Sequence, residues 1–226
     1  MNGFVVYDGS LEGKRPGIIV VPEWWGLNDY AKFRARELAK LGYIALAMDI
    51  YGDGKTADSP DSAGKLAGPF YGDPAIAKPR FEAALNKLRS YEQTDSSKLG
   101  AIGYCFGGAQ VVNMAKYGEP LKGVVSFHGN LAVIPPTKEM VADILVCHGA
   151  ADPIVPPAEV DKFKKQMDSV GKPYTFKAYE GAMHAFTNPA ATAIGEKYKD
   201  LPVKYNAAAD TASWNDMKEF FLKVFH

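Results

Sequence analysis

With 226 residues, 47% of them hydrophobic and 23% charged, the chain has the balance of an ordinary soluble globular protein and enough apolar material for one sizeable core. Lysine plus arginine number 26, as do aspartate plus glutamate, so neither a net charge nor a basic block offers an electrostatic footprint for nucleic acid or an anionic membrane. Two cysteines make no disulfide framework, the four histidines at 128, 148, 184 and 226 show no zinc-ligand spacing, and no apolar run approaches the roughly 20 residues that span a bilayer.

The opening residues, MNGFVVYDGSLEGKRPG, lack the charged and apolar regions of a secretory signal, so the expected location is cytoplasmic. Residues 4–7 read as an antiparallel strand at the front. Residues 17–21, GIIVV, form the first continuously apolar run, as a strand covered on both faces should. A helical period follows over 30–41, with Phe33, Leu38 and Leu41 spaced along it and Gly42 placed to end it. Residues 43–48 are the next strand. Residues 51–78, rich in Gly, Asp, Ser and Pro, carry little periodicity.

A helix over 79–91 repeats Phe81, Leu85 and Leu88, with Pro79 suited to its first turn. Strand 99–103, helix 110–117, strands 123–127 and 143–147 and helix 157–170 follow. Residues 174–179, YTFKAY, alternate more strongly and belong nearer an edge. A second aperiodic stretch covers 185–212, and a helix over 213–225 closes the chain. Strand and helix alternate throughout, which predicts a single α/β domain over 1–226, its mostly parallel central sheet flanked by helices on both faces. The excursions at 51–78 and 185–212 read equally well as lids or binding loops and as surface covers.

Cys105 stands in GYCFGG, just past strand 99–103 and just before a helix. Glycines at 103, 107 and 108 would let the chain turn sharply and project the thiol from the sheet, as in a nucleophile elbow with Cys in place of Ser. A helix N-terminus also favours the thiolate, which is the reactive form. The blander reading, a small buried hydrophobe, is decided by the partners. In this architecture the order should be nucleophile, acid, histidine. Asp152 follows strand 143–147 in HGAADPIVP, and His184 follows strand 174–179 in EGAMHAF. Three loops at one sheet edge would therefore unite Cys105, Asp152 and His184 as nucleophile, orienting acid and base. Glu159 and Asp161, on the following helix, read as solvated. His128 and His148, each before a glycine at a strand end, read as satisfied structural histidines, and Cys147 reads as core.

These motifs, together with VVPEWWGLND near the front, resemble the dienelactone hydrolase family of α/β-hydrolases over residues 17 to the C-terminus. The resemblance implies an α/β-hydrolase fold and opening of enol-lactone or ester bonds through a Cys-His-Asp triad and a thioester, with no metal or other cofactor. It implies that Glu23 helps deprotonate the thiol, a role that partial burial of a carboxylate supports by raising its pKa. Backbone N–H groups of Phe106 and Trp24 would form the oxyanion hole. Family members that cleave dienelactone hold the substrate carboxylate with arginines. Here 51–78 and 185–199 contain none, Asn188 stands where one is expected, and Arg80 reads as solvent-facing. The side chains of Trp24, Phe106 and Tyr71 are expected to line an apolar pocket. The expected partner is a small-molecule ester or lactone, with no nucleic acid or membrane, for a monomer or small homo-oligomer. A thioesterase or acyl-transfer enzyme would need the same triad, and a non-catalytic binding module would have no need of Cys105, His184 and Glu23 together.

Overall fold

The computed structural model describes residues 2–226. Seven strands form one sheet: β1 (Gly3–Val6), β2 (Arg15–Val21), β3 (Ile44–Met48), β4 (Thr94–Tyr104), β5 (Gly123–Phe127), β6 (Asp143–Gly149) and β7 (Tyr174–Tyr179). Their order across the sheet is β1-β3-β2-β4-β5-β6-β7, with β1 antiparallel to β3 and the other pairs parallel. The front strand and the edge position of 174–179 are as the alternation predicts.

Successive side chains of a strand point to opposite faces, and β2 shows the result. Ile19 and Val21 join one core layer with Phe81, Leu85, Val111 and Phe163, while Ile18 and Val20 join the other with Leu38, Met217 and Phe221. The first layer is covered by α3 (Ala77–Arg89), α4 (Phe106–Lys116) and α5 (Pro157–Ser169), the second by α1 (Asp29–Lys40) and α7 (Ala207–Val224). Asn28 caps α1 by accepting from the Ala31 amide. All eleven residues of α4 are buried, so this helix lies inside the molecule rather than on it. No helix among the described residues is long and apolar enough to cross a membrane.

Both excursions hold helices that periodicity does not announce. α2 (Pro60–Gly72) starts from a capping box in which Ser59 and Ser62 bond reciprocally, and it buries Ala63, Ala67 and Phe70. α6 (Ala191–Lys197) lies within 185–212, and α7 starts six residues before the expected 213. The 110–117 helix also starts earlier, at Phe106, so Cys105 is its N-cap.

Candidate active site

The strand order turns back on itself between β2 and β4, the place where open α/β sheets form a crevice at their carboxyl ends. Val21 pairs with Gly103 across these neighbours, so Glu23 and Cys105, each two residues farther on, leave the sheet side by side. Cys105 has φ 51° and ψ −116°, a combination that costs a non-glycine residue about 1–3 kcal/mol and persists only when its surroundings over-determine it. They do so here: a Cβ on Gly103 would stand 2.1 Å from the Gly107 carbonyl oxygen, and one on Gly107 would stand 2.2 Å from that of Val21. Strand and helix thus meet backbone to backbone, leaving Cys105 half-buried at the turn.

Asp152 and His184 come from the ends of β6 and β7. Asp152 Oδ2 lies 2.8 Å from His184 Nδ1, while Oδ1 accepts from the amides of Ile154 (2.8 Å) and Val155 (3.3 Å). Those bonds fix the carboxylate and leave its other oxygen for the imidazole. Nε2 of His184 is buried without a hydrogen-bond partner and shares a cavity with the Cys105 thiol. Burial opposes charging His184, but negative charge at Cys105 and the bond to Asp152 outweigh it and push its pKa up to about 10. Glu23 is buried, and this pushes its carboxyl up to about 7 although Oε2 accepts from Asn188 Nδ2 at 2.8 Å.

Phe106 opens α4, so its amide is one of those a helix leaves without an intrahelical acceptor. The Trp24 carbonyl accepts from the Tyr51 hydroxyl at 2.9 Å, which holds the loop after β2 in one orientation. The Phe106 side chain corrects the sequence reading. It is fully buried against Tyr51, Phe70 and Tyr71 and does not line the cavity. Trp24 and Tyr71 do line it, joined by Trp25.

The cavity measures about 150 Å³. Its polar floor is Glu23, Cys105, His184, Asn188 and Asn130, and its apolar wall comes from Ile154, Ala191, Ile194, Leu201 and Val203. No lysine or arginine among the described residues lines it. Both excursions therefore contribute, α2 through Tyr71 and 185–212 through α6 and the segment after it. That segment also braces the histidine loop, since Lys204 and Asn206 donate to the carbonyls of His184 and Phe186. A larger depression of about 240 Å³ lies at the amino ends of β6 and β7, the opposite end of these strands, and is lined by none of these groups.

Three other expectations fare differently. Glu159 is not simply solvated, because it accepts from Leu131 N (2.6 Å), Ala132 N (3.3 Å) and Asn130 Nδ2 (3.1 Å) and so fixes the cavity residue Asn130. Arg80 turns inward to donate to the Ile50 carbonyl over the Phe70 ring and stays out of the cavity. Cys147 is core, as expected, with burial pushing its thiol up to about 12. Asn130 and the individual wall residues at 191–203 were not singled out, although 185–212 was read as a binding loop as readily as a surface cover. Asn130 follows β5 by three residues, and that position at a strand's carboxyl end is the signal that points to it. Among the described residues no three His, Cys, Asp or Glu side chains are grouped to hold a metal ion.

Comparison with known proteins identifies the family to which the fold belongs. The family model described as "Dienelactone hydrolase family" matches residues 1–225. A solved structure described as a dienelactone hydrolase-like promiscuous phosphotriesterase from metagenomic libraries superposes with a TM-score of 0.91 at 36% identity, covering 99% of this chain and 92% of its own. "Protein usf" of Aquifex pyrophilus is 31% identical over 91% of this chain and 87% of its own length. A "putative carboxymethylenebutenolidase" of Methylorubrum extorquens is 28% identical over 92% of this chain and 72% of its own.

Proposed function

The chain belongs to the dienelactone hydrolase family and is a carboxylic ester hydrolase of the α/β-hydrolase fold, and we propose that it cleaves small neutral esters or lactones through Cys105, His184 and Asp152, with Glu23 as auxiliary base. The observation that carries this reading is the 2.8 Å Asp152–His184 contact beside a cavity that His184 Nε2 and the Cys105 thiol share. The whole chain, 1–226, acts as one catalytic domain roofed by its two excursions.

His184 takes the thiol proton, directly or by way of Glu23, and the thiolate attacks the substrate carbonyl. The amides of Phe106 and Trp24 receive the developing oxyanion, which a pair of donors stabilises by about 3 kcal/mol for each one. The tetrahedral species collapses as the His184 imidazolium gives its proton to the leaving alkoxide or enolate, and a thioester on Cys105 remains. Neutral His184, held by Asp152, then removes a proton from water, whose attack releases the acid and regenerates the thiol. With a lactone the leaving oxygen stays tethered, so one ring-opened hydroxy or keto acid results.

Substrate charge follows from the cavity. Asn188 spends its amide on Glu23, and no cation lines the wall, so carboxylate-bearing lactones lack the bidentate partner that a planar guanidinium would provide. Short neutral acyl groups fit the apolar wall. The same lack of a lysine or arginine favours a second reading, neutral phosphotriesters, in line with the activity by which the 36%-identical relative is described. Hydrolysis of p-nitrophenyl acetate by Cys105→Ala and His184→Ala tests the proposal. Turnover should disappear in both, and wild-type turnover in Cys105→Ala would overturn the nucleophile assignment.

A further inference from the structure

We propose that His128 is a positioning residue for this reaction: its neutral imidazole ties the backbone of Cys105 to the loop that carries His184 and so sets the two groups against each other. The proposal rests on the reading of Cys105 and His184 as nucleophile and base.

His128 comes directly after β5, at φ 46°, and is 1% exposed. Its Nδ1 accepts from the Cys105 amide at 3.1 Å, an amide shared with the Phe127 carbonyl at 2.9 Å. With Nδ1 accepting, the ring proton belongs on Nε2, which donates to Thr187 Oγ1 at 2.8 Å. Thr187 lies three residues after His184. One ring therefore bonds the strained backbone of the nucleophile through one nitrogen and the histidine loop through the other.

The far end of this link is anchored. The Thr187 hydroxyl pairs with that of Tyr30 at 2.7 Å, and its carbonyl accepts from the Arg34 guanidinium at 2.6 Å. Arg34 also donates through Nε to Tyr30 at 3.2 Å and pairs with Asp210 of α7. Hydrogen bonds thus run from Cys105 to α1 and α7 without using the β4–α4 turn. Burying a polar ring is costly unless its polar atoms are satisfied, and both nitrogens are satisfied by the two segments that flank the reacting groups. A cationic ring would turn an N–H toward the Cys105 N–H and break the link. Burial, helped by the charges of His184 and Arg34, holds His128 well below the ordinary histidine range, so it stays neutral while its neighbour titrates. The two rings meet edge to face at 5.2 Å.

Three variants test the link by steady-state kinetics on p-nitrophenyl acetate. Asn in place of His128 can still offer an oxygen near the position of Nδ1, whereas Leu offers no acceptor. Thr187→Val keeps the Cys105 contact and removes the anchor. His128→Leu should lower kcat by about 10- to 100-fold, the scale of a sub-ångström to ångström misplacement, with KM held within about twofold. His128→Asn should recover most of that loss, and Thr187→Val should lower kcat by about threefold or more at unchanged KM. A folded His128→Leu protein with wild-type kcat, or an Asn variant no better than Leu, would overturn the proposal. If His128→Leu does not fold, Thr187→Val decides alone, and an unchanged kcat there refutes the link. Cys105→Ala is run alongside: turnover by it defeats the nucleophile assignment itself, whereas an inactive Cys105→Ala with an undiminished His128→Leu defeats the positioning role alone.

Discussion

At the floor of the cavity backbone is pressed on backbone, with no room for a methyl group on Gly103 or Gly107, and four ionisable or nucleophilic groups emerge from strand ends. The roof is made of side chains from segments outside the sheet: Tyr71 at 40% exposure, and Ile194, Leu201 and Val203. Close packing transmits small displacements, while a partly exposed ring adjusts by changing rotamer. Changes to the floor should therefore act on folding or on the chemical step, and changes to the roof on which substrate is held.

The severest way to break this contrast is Gly107→Ala. With the Val21 carbonyl in the way, one methyl should cost on the order of 4 kcal/mol or more, read as a lowered denaturation midpoint or loss of soluble protein. A fully stable Gly107→Ala protein would mean that the floor yields as the roof does.

Glu23→Gln sharpens the contrast by separating chemistry from stability on the floor. The Glu23 carboxyl sits at about 7, so kcat/KM should climb as pH rises through that value, and the variant should lose both the climb and about 100-fold of its rate at pH 8. Stability should move the other way. A raised carboxyl pKa means the folded state holds a proton that the unfolded chain has lost, so wild-type stability falls between pH 4.5 and about 7. His184, raised from 6.5 to about 10, continues the decline in the same direction over its own range. Thermal melts at pH 8 should find Glu23→Gln more stable than the wild type; equal melts from pH 5 to 8 would contradict the buried charge.

Asn188→Arg moves charge into the cavity where floor meets roof. It should lower KM for carboxylate-bearing lactones by about tenfold through a charge-assisted pair and leave neutral esters no better bound. An unchanged KM for the lactones would show that some other feature decides substrate charge. Tyr71→Ala, on the roof alone, should raise KM for aryl esters by about two- to fivefold with kcat unaltered. A comparable fall in kcat would place this ring in the chemistry instead.

The same contrast decides what could be read from the sequence. Around the floor, Glu23, Cys105, Asp152 and His184 were legible because each lies on the loop after an expected strand, whereas Asn130 was not singled out although it too follows a strand. Strands 123–127 and 174–179 fall on the expected residues, and Glu23, Cys105, Asp152 and His184 all come to one edge of the sheet. The roof was not legible. In α2, Gly64, Gly68, Pro69 and Gly72 hide a helix whose local signals are confined to its start, the Ser59–Ser62 capping box with Pro60 and Asp61 in the first turn, and to the sparse spacing of Ala63, Ala67 and Phe70. Glu159 finds its partners 27 to 29 residues away, beyond any local pattern. The Phe106 ring escaped because α4 is buried on every side, so a place beside the nucleophile did not decide which way the side chain turned.

The most direct test of the account is the mass of the Cys105 peptide after brief mixing with p-nitrophenyl acetate and an acid quench. One acetyl group should appear on Cys105, released by hydroxylamine as a thioester is and longer-lived in His184→Ala where any forms. Turnover with no acyl group on Cys105 at any time, or acylation at another residue that Cys105→Ala leaves untouched, would contradict it.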